Sequence, residues 1–434
     1  MINCSDIYNK QKNIPLKAAL VYYIATYLLS IIGPVKYFNG EYRYWLVMPF
    51  MAGVCLALTL GYYLGKHTKP KTYTFFSDER IKVKEQKLLN RALIISIISL
   101  VIELGYVVAI GHFSFSLMNL GNLYNTRIED NANVVILIRF LCAAFRMIAN
   151  ALGIYKYREC SSNIKKLIIA NIALYILVFL FGYGNQKGMS DIVIYFAVAI
   201  YVNRVKAGKR TSKKGIRIIA VTLIAALFLF SYMQYLRYKP MGITASNFHL
   251  YSSGEYYFNT NHIIFKIFGN EIGFGMASIL SGYLSQGYYG LSLCMQLPFK
   301  WTYGIGSSYA LSRLLSKFGI SGIYEKTYLN RMTEIFRRNG LRSWNTIFPW
   351  LASDYTWFGA IAFFVFVGYF LSKAWKETIE NNNIISYLVV VNVAVMILFT
   401  PANNQLFHGY DSFISTWFLI VFWLFFRGRY MHEQ

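Results

Sequence analysis

The fold of this chain depends on a segment that contains Tyr283-Leu-Ser-Gln-Gly-Tyr-Tyr-Gly290, Trp301-Thr-Tyr-Gly-Ile-Gly306 and Trp344-Asn-Thr-Ile-Phe-Pro-Trp-Leu-Ala-Ser-Asp354. The segment, residues 237–358, is rich in Tyr, Phe, Trp and Gly, and before Asp354 it carries eleven Lys or Arg against four Glu. Almost everything on either side of it consists of apolar runs joined by short loops. We therefore interpret it as the part that folds outside a lipid bilayer and carries much of a functional site.

The composition is typical of a membrane protein. Of the 434 residues, 56% are hydrophobic and only 14% are charged, yet the net charge is +24. The basic residues cluster in short loops between apolar runs, which is the topology signal of membrane proteins. A nucleic-acid-binding protein would instead carry such an excess on a water-exposed surface. We expect a lipid bilayer as a partner and no nucleic acid.

Ten apolar runs approach the roughly 20 residues that a spanning helix needs. They are residues 15–35, 44–65, 92–112, 133–155, 166–183, 190–203, 216–236, 356–375, 384–401 and 412–427. The sequence therefore predicts an all-α polytopic integral membrane protein with about 10 transmembrane helices and a large extracytoplasmic segment. The nearly uncharged, glycine-rich residues 272–298 suggest re-entrant helices within that segment.

The basic residues alternate between loops. Residues 66–91 hold eight Lys or Arg, 156–166 hold four and 204–217 hold seven, whereas the intervening loops 36–43, 114–132, 184–189 and 402–411 share four. The positive-inside rule then predicts that both termini are cytoplasmic. We divide the chain into an N-terminal membrane bundle (1–236, about seven spans), an extracytoplasmic segment (237–355) and a C-terminal group of three spans (356–434).

Ionisable residues inside the predicted spans are functional candidates. Glu103 lies in the third span, and Arg139 and Arg146 share one face of the fourth, about 9 and 20 Å from its outer end. One interpretation is a buried ion pair between the two spans, which accounts for one arginine. The other is a positively charged cavity that opens to the outer side and uses both. The sequence does not decide between them.

Two further groups of basic residues could bind phosphate. Lys187 lies in the loop Gly182-Tyr-Gly-Asn-Gln-Lys-Gly-Met-Ser-Asp191 at the start of the sixth span, where free backbone N–H groups and a lysine form an anion site; an ordinary turn with a solvated lysine is the alternative. Arg331, Arg337, Arg338 and Arg342 precede Trp344. Arginine forks bind phosphate oxygens in pairs, although a solvated basic helix face is the usual meaning of such a run.

Carboxylate, imidazole and amide side chains are predicted to meet at the outer ends of the eighth and ninth spans. Asp354 precedes the eighth span, and Asn403, Asn404, Gln405 and His408 follow the ninth. Such groups suit sugar hydroxyls, and Asp354 or His408 could take a proton from one. A helix cap and a proline turn are the structural alternative.

Aromatic side chains of the segment offer stacking faces for sugar rings, although an interfacial aromatic belt has the same composition. Among them, Tyr288, Tyr289 and Trp301 are our candidates. No nucleotide-binding pattern occurs in the sequence, and the cysteine spacing matches no zinc site. We expect neither a cofactor nor a metal, and infer that a sugar-transferring enzyme of this kind would use a lipid-linked donor.

The phrases at 283–290, 303–306 and 344–354, together with Gly359 and Pro401-Ala-Asn-Asn-Gln405, resemble the Wzy-type O-antigen and capsular oligosaccharide repeat-unit polymerases. The likeness in layout covers nearly the whole chain. The arginine–ten residues–glycine pattern of some members has no match in 237–359, and the first long outer loop is reduced here to the turn at 184–189.

The resemblance implies a metal-independent membrane glycosyltransferase at the periplasmic face of the bacterial inner membrane. Undecaprenyl-pyrophosphate-linked oligosaccharides would be donor and acceptor, with a chain-length regulator and a flippase as further partners. Asp354 and His408 would be catalytic; Arg139, Lys187, Arg337 and Arg338 would bind pyrophosphate; Tyr288, Tyr289, Trp301, Asn403, Asn404 and Gln405 would bind glycan. An O-antigen ligase, or a flippase or other transporter of lipid-linked oligosaccharides, remains the alternative.

Overall fold

Long helices occupy all ten apolar runs of the sequence. The computed structural model describes residues 8–431 except 10, 39–41, 69–77, 117, 118, 120–122, 124–133, 209–212 and 252–254. The first seven helices are α1 (Ile14–Ile32), α2 (Tyr44–His67), α3 (Asp78–Ala109), α4 (Val134–Lys156), α5 (Ser162–Ile176, continued by a π-helix at Leu177–Gly182), α6 (Lys187–Lys206) and α7 (Lys213–Tyr238). The predicted location of the termini depends partly on residues 1–7 and 432–434, which lie outside the described residues.

Seven further helices follow. They are α8 (Ile263–Gly282), α9 (Gln286–Cys294), α10 (Tyr309–Lys317), α11 (Tyr328–Phe336), α12 (Phe348–Glu380), α13 (Ile384–Phe399) and α14 (Tyr410–Phe426). Single helical turns occur at Tyr157–Glu159, Lys239–Met241, Phe248–Tyr251, Ile323–Lys326 and Arg427–Tyr430. The only sheet in the described part pairs β1 (Val35–Tyr37) with β2 (Tyr256–Phe258) antiparallel.

Most of the long helices have the length and composition of membrane spans. Within the described residues, nine helices are long and apolar enough to cross a membrane, and α13 is a shorter apolar helix. One of the nine is the run Ile263–Cys294, which covers α8 and α9. The chain is an all-α multi-pass membrane protein, so the predicted fold class is confirmed.

Contacts between helix termini define two ends of the bundle. At one end, Arg139 near the start of α4 donates to Asp411 at the start of α14 over 2.7 Å. At the other, Lys156 at the end of α4 pairs with Glu85 near the start of α3 over 3.2 Å. We call the first the cap end and the second the basic end. The predicted alternation of loops agrees with this arrangement, because the basic loops 156–166 and 204–217 both follow helices that run towards the basic end.

α12 is bent back on itself at Thr356, where φ is +63°. The rings of Phe348 and Phe364 lie 5.4 Å apart, although sixteen residues of straight helix would separate them by about 24 Å. Residues 348–355 are therefore a short helix folded against the start of the long one. The predicted span at 356–375 begins at this reversal, and the short helix before it is re-entrant.

A second reversal occurs within α8 at Gly269, where φ is +70°. A Cβ placed on Gly273 would lie 3.2 Å from the Cα of Phe265, a separation that eight residues of straight helix, about 12 Å long, cannot give. The absence of a side chain at Gly273 permits this contact. Residues Ile263–Gly282, which overlap only the start of the glycine-rich stretch 272–298, thus form a tight helical hairpin.

The segment that follows α8, the segment that ends in the short helix of α12 and the loop after α13 pack together into one unit, which we call the cap (residues 283–308, 322–356 and 400–409). A Cβ on Gly287 would lie 1.9 Å from the carbonyl oxygen of Pro401, so the α9 backbone lies against that loop. The hydroxyls of Tyr288 and Thr26, the latter in the middle of α1, are 2.9 Å apart. Irregular backbone at such depth is tolerated where protein surrounds it.

Candidate functional site: a polar cavity at the cap end

A polar cavity of about 80 Å³ lies between α4, α6, α13 and α14, at the side of the cap. Its floor and walls carry amide and charged side chains that are unusual inside a helix bundle of this composition. The polar side chains that line it are Arg146, Asn150, Tyr175, Lys187, Asp191, Tyr195, Asn392, Gln405, Asp411, Ser412, Ser415 and Thr416.

Glu103 on α3 organises the arginines of α4. Its carboxylate accepts from Arg146 Nη1 over 2.5 Å and lies 3.6 Å from Arg139 Nε. Arg146 also donates to the Ser99 hydroxyl over 2.8 Å, and Arg139 donates to Asp411. An ion pair thus joins the two helices, and Arg146 also lines the cavity. A positively charged cavity that opens to the outer side and uses both arginines stays a prediction.

Lys187 and Asp191 form the opposite wall, one turn apart on α6. The lysine ammonium donates to Asp191 Oδ2 over 2.6 Å. This spacing of four residues places both side chains on one helix face. The predicted ordinary turn with a freely solvated lysine is therefore not what the structure contains.

Burial increases from the mouth of the cavity to its floor. The side chains of Lys187 and Asp411 are each 30% exposed, whereas that of Arg146 is 4% exposed. Three residues that line the cavity each have a buried atom without a hydrogen-bond partner in the described part of the chain, namely Arg146 Nη2, Asp191 Oδ1 and Asp411 Oδ1. A buried polar atom without a partner costs about 1–3 kcal/mol, so a polar ligand that satisfies them would bind favourably.

Asp354, which the sequence predicts as catalytic, holds a loop. Its buried carboxylate accepts from the Thr302 hydroxyl, from Gly306 N over 3.0 Å and from Ser307 N over 2.6 Å. These bonds tie the start of α12 to the loop that precedes α10. The catalytic role of Asp354 stays a prediction, and its observed contacts are structural.

The loop after α13 joins the cap to the cavity. Asn404 is buried and donates to the Ser307 carbonyl over 2.7 Å, while Asn403 accepts from the Trp350 indole over 2.9 Å. Gln405 lines the cavity. The ring of His408 stacks on Tyr309 with centroids 5.4 Å apart. Of the predicted amide cluster, Gln405 is the member that reaches the cavity.

The remaining predicted residues lie elsewhere in the cap. Buried Arg338 donates to Glu255, to Asn345 Oδ1 over 3.1 Å and to the Trp344 carbonyl over 2.8 Å. Arg337 is exposed and ends α11 with φ of +57°. Tyr289 is buried and stacks on Tyr37, Tyr288 is buried, and Trp301 is exposed. These side chains are not brought to the cavity.

Left-handed backbone is concentrated in the cap. Four of the five non-glycine residues with positive φ in the described chain are Tyr303, Arg337, Thr346 and Thr356. Bulky and β-branched residues rarely adopt this conformation, and such strain clusters at functional regions.

Burial raises the pKa of the Glu255 carboxyl group above its ordinary value, even though the positive charge of neighbouring Arg338 lowers that pKa.

Sequence reasoning missed Asp411, Asn150 and Asn392 as cavity residues. Asp411 directly precedes an apolar run and looked like an ordinary helix start, and the two asparagines are single polar residues within spans. A lone amide in an apolar helix is itself a signal, because it needs a polar partner there. Within the described residues, no group of three His, Cys, Asp or Glu side chains is placed to hold a metal ion.

Comparisons of the chain with protein-family models, with curated proteins and with solved structures found no match.

Proposed function

We propose that this protein is a membrane glycosyltransferase that polymerises oligosaccharide units carried on undecaprenyl pyrophosphate. The observation that carries the proposal is the polar cavity, in which arginine and lysine donors alternate with carboxylates and amides. A glycosyl pyrophosphate has both kinds of complementary group: phosphate oxygens for the cations, and sugar hydroxyls for the carboxylates and amides. The resemblance of the cap phrases to Wzy-type polymerases supports the same class.

The cavity would open outside the cytoplasm. Most of the Lys and Arg residues of the short loops lie in the loops at the basic end. The positive-inside rule therefore assigns the basic end to the cytoplasm. The cap end then faces the periplasmic side of a bacterial inner membrane, with both termini cytoplasmic. The donor and acceptor glycans would approach from that side.

Cations at the cavity would stabilise the leaving pyrophosphate. Arg146 has a free Nη2 at the floor and Lys187 is at the mouth, with Arg139 bound to the Asp411 carboxylate beside them. Each of these cations has a carboxylate partner. Negative charge that develops on the leaving group is thus met by preorganised donors, which act strongly where water is excluded.

Asp411 is a further candidate for the group that activates the acceptor. Asp411 lines the cavity. Its Oδ1 is buried without a partner in the described part of the chain, while Oδ2 accepts from Arg139. The acceptor hydroxyl would give its proton to this carboxylate as its oxygen bonds to the anomeric carbon of the donor. The bond from that carbon to the pyrophosphate breaks, and the electron pair leaves with the lipid pyrophosphate. Asp354 and His408 remain predictions for the same role.

Glycan profiling of a deletion strain tests the proposal. The strain would be complemented with wild type, Lys187→Gln, Lys187→Arg and the control Lys166→Gln, which changes an exposed lysine at the basic end. Lys187→Gln should reduce polymer about tenfold to a hundredfold, because a charge-assisted hydrogen bond contributes about 1.5–3 kcal/mol. Single-unit glycan should remain, and Lys187→Arg should restore part of the ladder.

Other outcomes would contradict the proposal. Loss of all glycan attached to the lipid acceptor in the deletion strain would indicate a ligase or a flippase instead. An unchanged ladder in the deletion strain would exclude all three. Arg338 is a poor choice for this test because its many buried contacts would make any substitution a test of folding.

A flippase is a second candidate, favoured by the buried Glu103–Arg146 pair. Ionisable pairs inside a helix bundle often mark transport pathways. Transport of fluorescent lipid-linked units across proteoliposome membranes, without any change in their length, would support that function over polymerisation.

A further inference from the structure

Two aromatic side chains project from the cap into solvent as a fixed pair. Trp301 and Tyr303 are each 56% exposed, and their ring centroids lie 4.8 Å apart with planes tilted by 48°. Thr302 between them is fully buried. The two rings therefore lie against each other on the surface of the cap, with a buried residue between them in the chain.

A buried carboxylate holds this loop from one side. Asp354 accepts from the Thr302 hydroxyl and from the backbone N–H groups of Gly306 and Ser307. The Thr302 N–H and hydroxyl also donate to the Ser353 carbonyl, over 3.2 and 2.7 Å. The residue between the two rings is thus fixed through both its backbone and its side chain.

A buried arginine holds the loop from the other side. Arg331 donates from Nη1 to the Pro298 carbonyl over 2.7 Å and from Nε to the Lys326 carbonyl over 3.0 Å. Burial lowers its pKa, and no carboxylate among the described residues forms a salt bridge with it. The second of these bonds positions Lys326, whose ammonium lies 4.8 Å from the centroid of the Tyr303 ring.

The conformation of Tyr303 is itself unfavourable. Its φ is +58°, a region that bulky residues seldom adopt. Two buried charges and one strained residue therefore maintain a pair of large rings in solvent. Strain of this kind persists where the surrounding structure imposes it and is typical of functional positions.

The loop is also bonded to the rim of the cavity. Ser308 donates to the Phe407 carbonyl and Asn404 donates to the Ser307 carbonyl, each over 2.7 Å. Gln405, between those two partners, lines the cavity. The loop with the two rings is thus joined by hydrogen bonds to the segment that contributes Gln405 to the cavity.

We propose that Trp301, Tyr303 and Lys326 form a carbohydrate-binding platform for the growing glycan, separate from the cavity; the inference rests on the proposed polymerase function. The two rings offer flat faces to the C–H faces of successive sugars, and the ammonium of Lys326 donates to their hydroxyls. Asp354 and Arg331 act as positioning residues. A polymer occupies the platform and the cavity together, whereas a single unit occupies the cavity alone, so the platform governs chain length.

The double variant Trp301→Ala/Tyr303→Ala tests the platform. Phe358→Ala is the control, because Phe358 is an exposed aromatic residue beside the reversal at Thr356 and outside the platform. Each would be expressed in the deletion strain and purified into lipid nanodiscs. We expect the double variant to bind delipidated polymer fragments about tenfold more weakly and to shift the ladder to shorter chains. Single additions should continue, and the control should match wild type.

Two results would overturn the platform. One is unchanged fragment affinity and ladder length in the double variant. The other is reduced incorporation into membranes with unchanged fragment affinity, which would assign the rings to the lipid interface. Failure of wild type itself to lengthen glycan would instead refute the proposed function, so the two failures are distinguishable.

Discussion

Replacement of Asp354 separates a structural anchor from a catalytic base. Its carboxylate accepts three hydrogen bonds from the loop at 302–307. Asp354→Asn keeps one acceptor oxygen but places an amide NH2 group opposite a backbone N–H. The variant should therefore lose about one charge-assisted hydrogen bond, which lowers the free energy of unfolding by about 1.5–3 kcal/mol. Asp354→Ala leaves all three donors without this acceptor and should cost about 3–5 kcal/mol.

The assay is the unfolding free energy of the purified protein in a denaturing-detergent titration, measured beside glycan length in cells. Glu271→Gln, which changes an exposed carboxylate, is the control and should stay within about 0.5 kcal/mol of wild type. If Asp354 is an anchor, Asp354→Asn should lower the free energy of unfolding and Asp354→Ala should lower it further. The glycan ladder should shorten in both variants because the platform loop is held less firmly. Wild-type stability together with complete loss of polymer in Asp354→Asn would refute the anchor and support the catalytic prediction.

Three further predictions concern stability. Glu103→Gln should cost about 3–5 kcal/mol because it leaves Arg146 buried without its carboxylate, and the double variant with Arg146→Gln should cost less than the sum of the two single changes; additive losses would contradict the pairing. Gly287→Ala should lower the free energy of unfolding by at least about 1–3 kcal/mol, because the new Cβ would overlap a backbone carbonyl oxygen 1.9 Å away. In the control Gly105→Ala the new Cβ has no neighbour within 4 Å, so this variant should be neutral or slightly stabilised. Equal effects of the two substitutions would contradict the packing. Burial raises the pKa of Glu255 above its ordinary 4.5. The stability that this group contributes is therefore present below pH 4.5 and is lost as the pH rises through the folded-state pKa. Unfolding titrations of Glu255→Gln should lack that decline, and a pH profile identical to that of wild type would contradict this prediction.

Apolar length and the distribution of charge were enough to predict the ten helices, because both are properties of the chain read residue by residue. The reversals at Gly269 and Thr356 were not located. A single left-handed residue changes neither the hydropathy nor the charge of the segment around it, and nothing in the sequence around Thr356 marks it as non-helical. The glycines at 273–290 did indicate close packing in that region.

The candidate site was predictable only in part. Arg139, Lys187 and Gln405 were selected from the sequence and meet at or beside the cavity, because intramembrane charge and position at a helix end are visible locally. Asp411 was missed because its pairing with Arg139 joins residues 272 positions apart. Asp354 and Arg338 were selected for catalysis and pyrophosphate binding, and those roles stay predictions. In the structure both side chains are buried and hydrogen-bonded within the cap. A sequence shows the type of a residue but not whether its side chain is buried in structural contacts, which only the structure shows.

Reconstitution with purified lipid-linked units tests the central claim most directly. Undecaprenyl-pyrophosphate-linked single units, extracted from the deletion strain, would be incubated with wild type and Lys187→Gln in liposomes, and glycan length and released lipid pyrophosphate would both be measured. We expect wild type to form products of two or more units, with one lipid pyrophosphate released for each bond made, and Lys187→Gln to be about tenfold or more slower. Units that cross the bilayer or remain single, with no lipid pyrophosphate released by active wild-type protein, would contradict the assignment of glycosyl transfer to this cavity.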